Sequence, residues 1–191
     1  MILLCIKSSD NPKAESKSFL RDVLQKYCGI ANPLDLLTYT KHGKPVIQGA
    51  VFSVSHSDSL LCIAVRCESV GESLSDYLTY KIETDSVQSS IGVDIERIDN
   101  KTIDRCKKIA KAKFFDSEQT ALQSSADYID TFCEMWTKKE SYCKYTGVGL
   151  PDALSFDTVS EHNEITIYTE KIVKDRKSYS VSVCYNSKSE K

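Results

Sequence analysis

The sequence predicts an α+β fold, and three observations carry the prediction. Runs with two-residue alternation and runs with helical spacing are interspersed along the whole chain. The 191 residues are 41% apolar, enough to bury a real core in one or two small domains. No short repeat, low-complexity tract or Pro/Gly-rich linker divides the chain, so its parts are expected to pack into one globule.

Taken in order, MILLCI reads as an opening strand. Residues 16–27 read as an amphipathic helix with Phe19, Leu20, Val23, Leu24 and Tyr27 on one face, stopped by Gly29. After a turn around His42, Gly43 and Pro45, residues 51–54 and 60–66 read as strands joined by the polar stretch SHSDS. A serine-rich excursion over residues 67–90 holds one further strand at 77–82. The segment IGVDIERI, residues 91–98, is strand-like, and a basic helix is expected from about Thr102 to Lys113. Asp116 or Ser117 should cap a short helix carrying Glu118 and Leu122. A long helix over 127–145 follows, closed by Gly147 and Gly149. Strands at 164–169 and 179–185 complete the pattern, and residues 188–191 read as a disordered tail.

The bulk chemistry excludes several classes. A net charge of −2 and a pI near 6.0 argue against a nucleic-acid or anionic-membrane binder. MILLCI is too short for a signal peptide or a membrane span, which points to the cytoplasm. Eight cysteines form no CxxC pair and none lies at zinc-ligand spacing from the three histidines, so they are expected as reduced, buried thiols. Any metal should then be hard and oxygen-ligated, magnesium before manganese.

The most telling residue is Glu140. The apolar positions Ile129, Phe132, Cys133, Trp136 and Cys143 recur at helical spacing, and at about 100° per residue Glu140 points into the middle of their arc. A carboxylate there is costly unless a cation or hydrogen-bond donors meet it. In IGVDIERI, Ile91, Val93 and Ile95 face one side of a strand, while Asp94 and Glu96 face the other, roughly 7 Å apart. Taken alone, Asp94 and Glu96 fit a solvated strand face. Three carboxylates brought together disfavour one another's ionisation unless a divalent cation binds them. The competing reading for Glu140 is a structural ion pair with a lysine.

Ser55 and His56, in SVSHS, cannot form a nucleophile–base pair within one strand, because adjacent side chains point to opposite faces. Hydroxyls, backbone N–H groups and an imidazole at a turn suit phosphate oxygens instead, though a histidine that merely caps the turn fits as well. Lys44 in HGKP and Lys144, one turn past Glu140, could reach a bound polyphosphate, although a lysine taken alone is in most cases simply solvated. The run Arg105, Lys107, Lys108, Lys111 and Lys113 is either a solvated helix face or a dock for an acidic partner.

Through FSVSHS (52–57), GVDIE (92–96), KFFDSEQ (113–119) and WTKKESYCKYTGVGL (136–150), in that order, the chain resembles the phosphopantetheinyl transferases, and among them the larger, surfactin-synthetase-activating type. The resemblance implies two similar α/β subdomains about a pseudo-twofold axis, residues 1–90 and 91–191, in a monomer. It implies transfer of the phosphopantetheine arm of coenzyme A to a serine of an apo acyl or peptidyl carrier protein, releasing adenosine 3′,5′-bisphosphate. Asp94, Glu96 and Glu140 would hold magnesium, and Glu140 or a water beside it would take the serine proton. Lys144 would contact the pyrophosphate. Ser55, His56 and Lys44 would hold the nucleotide 3′-phosphate, with Lys17 and Ser18 near the nucleotide, and the basic helix would face the carrier. Two other readings of the same residues are a magnesium-dependent phosphohydrolase and a non-catalytic carrier-binding module.

Overall fold

The computed structural model describes residues 1–68, 77–84, 90–148, 154–162 and 164–186. The chain opens on strand β1 (Ile2–Ser8), whose apolar side chains are buried on both faces. Helix α1 (Pro12–Cys28) begins four residues before the expected start. Asn11 caps it by accepting the Ala14 N–H, and Pro12 at the first helical position needs no hydrogen-bond partner. Gly29, at φ 66°, closes it in the left-handed conformation.

A 3₁₀ turn (Pro33–Leu36) and a short ribbon of β2 (Thr38–Tyr39) and β3 (Pro45–Val46) lead to β4 (Phe52–Ser57) and β5 (Leu60–Arg66). Most of SHSDS, expected as a turn, is strand. Its alternation Phe-Ser-Val-Ser-His-Ser continues the two-residue period, and only Asp58 and Ser59 turn the chain, with Asp58 at φ 50°. Strand β6 (Leu78–Ile82) completes an antiparallel sheet of order β4-β5-β1-β6.

The second sheet, β7-β9-β8, is also antiparallel and is built from β7 (Ile91–Arg97), β8 (Thr166–Lys174) and β9 (Lys177–Tyr185). Strand β8 runs five residues beyond the expected end. Asp175 and Arg176, at φ 51° and 62°, make a two-residue hairpin without glycine or asparagine, so the usual turn signal is missing from the sequence. Between β7 and β8 lie α2 (Ile103–Lys113), α3 (Asp116–Ser124) and α4 (Tyr128–Thr146). Phe115, not Asp116 or Ser117, is the residue that caps α3: Glu118 reaches back to accept the Phe115 N–H, making Asp116 the first helical residue. Asp127 caps α4, and Gly147 at φ 72° ends it. Gly149 and residues 188–191 lie outside the described residues.

The largest apolar cluster is shared between the sheets: Ile2, Leu4 and Ile6 of β1 and Cys62 of β5 meet Val93 and Ile95 of β7 and Val181 and Val183 of β9. Helix α1 covers the other face of the first sheet through Phe19, Leu20, Val23 and Leu24. Helices α2, α3 and α4 form a third cluster around Phe114, Leu122 and Phe132. Where the sheets meet, β4 and β7 share no backbone ladder among the described residues. Instead the hydroxyls of Ser53, Ser55 and Ser57 accept the N–H groups of Val93, Ile95 and Arg97, at 3.1, 3.4 and 3.0 Å. Each bond spans 40 residues, so the two strands advance in the same direction. The serine row thereby satisfies donors that an edge strand would otherwise leave open.

Candidate active site

The site forms where α4 lies across β7. The apolar faces of Ile91, Val93 and Ile95 go to the shared core, and the opposite face presents Gly92, Asp94 and Glu96 to α4. Gly92 sets the separation, because the space a Cβ would need is already filled by the α4 backbone at Ser141 and Tyr145. The helix is held there by Thr137, whose hydroxyl is 3.1 Å from that of Ser180 and 2.8 Å from that of Ser182 on β9.

Glu140 is only half-buried, as is Trp136, although buried positions of α4 lie on both sides of it around the helix: its carboxylate opens onto a cavity. The side chains driven deepest are Cys133, Thr137, Lys139 and Ser141. Glu140 nonetheless lacks a donor: no described residue makes a hydrogen bond or ion pair with its carboxylate. Burial pushes its carboxyl up to about 7, the Asp94 and Glu96 charges push the same way, and Lys144 pulls it back. Asp94, 7% exposed, accepts on Oδ1 from both Ser55 Oγ and Lys144 Nζ, each at 2.8 Å. Glu96 is ion-paired to Lys101.

Glu140 and Lys144 line a cavity of about 310 Å³, together with His42, Lys44, Ser53 and Val148. Lys44 Nζ reaches Ser90 Oγ at 3.0 Å and the carbonyls of Ile91 and Tyr145 at 3.3 and 3.5 Å, tying the β2–β3 turn to the C-terminal end of α4. Burial lowers its pKa from the ordinary lysine value. The expected residues therefore divide. Glu140, Lys144 and Lys44 meet at the cavity, and Asp94 joins them through Lys144. Ser55 and His56 lie on opposite faces of β4, with Ser55 buried against β7 and His56 exposed. Ser18 donates to the Glu15 carbonyl within α1, and neither it nor His56 lines the cavity.

Two groups escaped the sequence reading. His42 stands in the cavity wall, where a histidine beside a turn glycine gave no chemical signal. Lys139 is 1% exposed and pairs with fully buried Glu118 at 2.9 Å. The adjacent Lys138 and Lys139 look alike in sequence, and only the packing of α3 on α4 separates them.

Among the described residues no three His, Cys, Asp or Glu side chains stand as a ready-made metal cage. The donor chemistry still suits a hard divalent cation. Glu140 is a carboxylate without a donor, its charge is opposed by two others, and both bonds to Asp94 fall on one oxygen, leaving Oδ2 unengaged. Glu96 would have to exchange Lys101 for the ion.

Known proteins place the chain. A family model described as the 4′-phosphopantetheinyl transferase superfamily matches residues 90–188, which contain β7, α4 and every carboxylate above. The 4′-phosphopantetheinyl transferase gsp of Aneurinibacillus migulanus is 31% identical over 134 residues, covering 69% of this chain and 46% of that protein. The 4′-phosphopantetheinyl transferase HetI of Nostoc sp. (strain PCC 7120) is 27% identical over 142 residues, covering 70% of this chain and 51% of that protein. The chain thus belongs to the 4′-phosphopantetheinyl transferase superfamily. It spans about half the length of the curated relatives it matches. Among the described residues no helix is long and apolar enough to cross a membrane.

Proposed function

We propose that the protein transfers the phosphopantetheine arm of coenzyme A to a serine of an apo acyl or peptidyl carrier protein in a magnesium-dependent reaction. The observation that carries the reading is the pairing of a donor-free carboxylate, Glu140, with two lysines, Lys44 and Lys144, in the wall of one cavity. The lysines offer positive charge to a diphosphate, Lys44 through its field alone while its three N–H groups stay on Ser90, Ile91 and Tyr145, and Lys144 from the place where Asp94 and Ser55 hold it. Asp94, Glu96 and Glu140 would hold the cation, whose chemistry is to draw charge off the diphosphate during the displacement. Glu140, or a water at its carboxylate, would accept the proton of the attacking serine.

The same reading takes residues 1–90 and 91–191 as related halves about a pseudo-twofold axis. In support, each contributes an antiparallel sheet with a helix against it, α1 on the first and α4 on the second. The exposed basic residues of α2, Lys107, Lys108 and Lys111 among them, would steer an acidic carrier into contact. A chain holding both halves would act as a monomer.

The test is mass spectrometry of a panel of apo carrier proteins incubated with the protein, coenzyme A and magnesium. A gain of one phosphopantetheine arm on at least one carrier, lost with Glu140→Gln and with Asp94→Ala, is the expected result. No gain on any carrier, or full labelling by both variants, would refute the reading.

A further inference from the structure

A hydroxyl has one proton to give and two lone pairs to fill. At Ser55 all three are in use. The proton goes to Asp94 Oδ1 at 2.8 Å, and the lone pairs accept the Ile95 N–H at 3.4 Å and Lys144 Nζ at 2.8 Å. The side chain is 6% exposed and lies inside the β4–β7 seam. A phosphate oxygen needs a donor, and Ser55 has none left.

We infer that Ser55 is a positioning residue for Asp94 and Lys144, and not a contact for the nucleotide. Its backbone is fixed by the β4–β5 ladder, where it sits opposite Cys62, and its oxygen is fixed by the Ile95 N–H. From that anchored point it holds Asp94 Oδ1 toward Lys144. In this arrangement Oδ2 is the oxygen left to face a cation, and the Lys144 ammonium is held at the cavity wall by two hydrogen bonds. Ser53 and Ser57 make the same kind of bond to β7, yet neither touches a carboxylate of the site. Only the middle serine of the row bonds both the seam and a carboxylate of the site.

The inference rests on the transferase reading for its substrates but not for its first measurement. Manganese binding to the full chain, followed by electron paramagnetic resonance, needs no carrier and no turnover. Loss of a group that orients a metal ligand typically costs about 10–100-fold in metal affinity. Ser55→Ala is expected to lose affinity in that range, Ser55→Thr to recover it, and Ser57→Ala to bind as the wild type does, although both alanine variants give up one seam hydrogen bond. The second measurement compares coenzyme A with its 3′-dephospho form. A positioning role leaves the wild-type preference between them unchanged in Ser55→Ala, with the loss falling on kcat. Wild-type manganese affinity in Ser55→Ala, or a collapsed preference for the 3′-phosphate, would overturn the inference. If Ser55→Ala does not fold, Ser55→Cys keeps the size with only a weak donor, and the same two readouts apply. A wild-type protein that binds manganese but labels no carrier would count against the transferase reading alone.

Discussion

Gly92 lies directly against Ser141: a Cβ built on the glycine would stand 1.9 Å from the Ser141 carbonyl oxygen and 2.3 Å from the Tyr145 amide nitrogen. Both obstacles are backbone, so no side-chain rotation relieves them. Helix α4 would have to lift from β7, and Glu140 and Lys144 would move with it. Gly92→Ala is expected to cost about 3 kcal/mol or more, read as a fall in the urea midpoint. It should also weaken cation binding, though it changes no polar atom. A variant as stable as the wild type would show that α4 does not rest on this glycine.

The buried pair Lys139–Glu118 predicts a different pattern. Glu118 is fully buried and accepts from Phe115 N, Thr158 N and Thr158 Oγ1 at 2.9, 2.8 and 2.7 Å, while Lys139 donates to the Phe156 carbonyl. Removing either partner strands a charge, at a cost of about 3–5 kcal/mol. Replacing both with apolar residues of similar size, Glu118→Leu with Lys139→Met, strands none. The double variant should therefore unfold at a higher urea concentration than either Glu118→Leu or Lys139→Met alone. Simple additivity of the losses would mean that the two residues are not coupled.

Much of this arrangement is legible in the residues. The alternation in GVDIE separates a core face from an acidic face, and β7 keeps that division, with Val93 and Ile95 in the core and Asp94 turned to Lys144. The two-residue period of FSVSHS is equally present, but the polar composition of SHSDS predicts a turn, and β4 is longer than that composition allows. What its serines bond to lies 40 residues away in sequence, a distance no local pattern reports. The same holds for Lys44. Its role at the end of α4 depends on a turn meeting a helix terminus 101 residues later. Glu140 is marked by its misfit among buried neighbours on both sides of it around α4, and what the sequence does not show is the cavity that leaves it half-exposed.

Glu140 also makes stability depend on pH in the metal-free protein. Its carboxyl titrates at about 7 in the folded chain, above the ordinary 4.5, so the folded state holds the extra proton between those values. The stabilisation is full below 4.5 and is lost as pH rises through about 7. Between pH 5 and pH 8 the wild type in chelator should lose roughly 2 kcal/mol relative to Glu140→Gln, less than the full linkage because water reaches the half-buried group. Urea unfolding of both proteins across that range checks it. Parallel pH profiles would show that Glu140 is not desolvated.

Lys101 occupies the third carboxylate that a cation would need. Lys101 is ion-paired to Glu96, and their side chains are 12% and 23% exposed. A cation that uses Glu96 must displace this ammonium, so the pair competes with binding. An ion pair of this exposure contributes at most about 1 kcal/mol, which corresponds to roughly a fivefold change in an equilibrium constant. Lys101→Ala should accordingly tighten manganese binding by up to that factor, whereas Glu96→Gln should weaken it. Opposite signs from the two partners of one ion pair are the signature of competition. If Lys101 only shaped the surface, its removal would leave the affinity unchanged. If it organised the site, its removal would lower the affinity; either outcome rules out competition, and wild-type affinity in Glu96→Gln would remove Glu96 from the ligands.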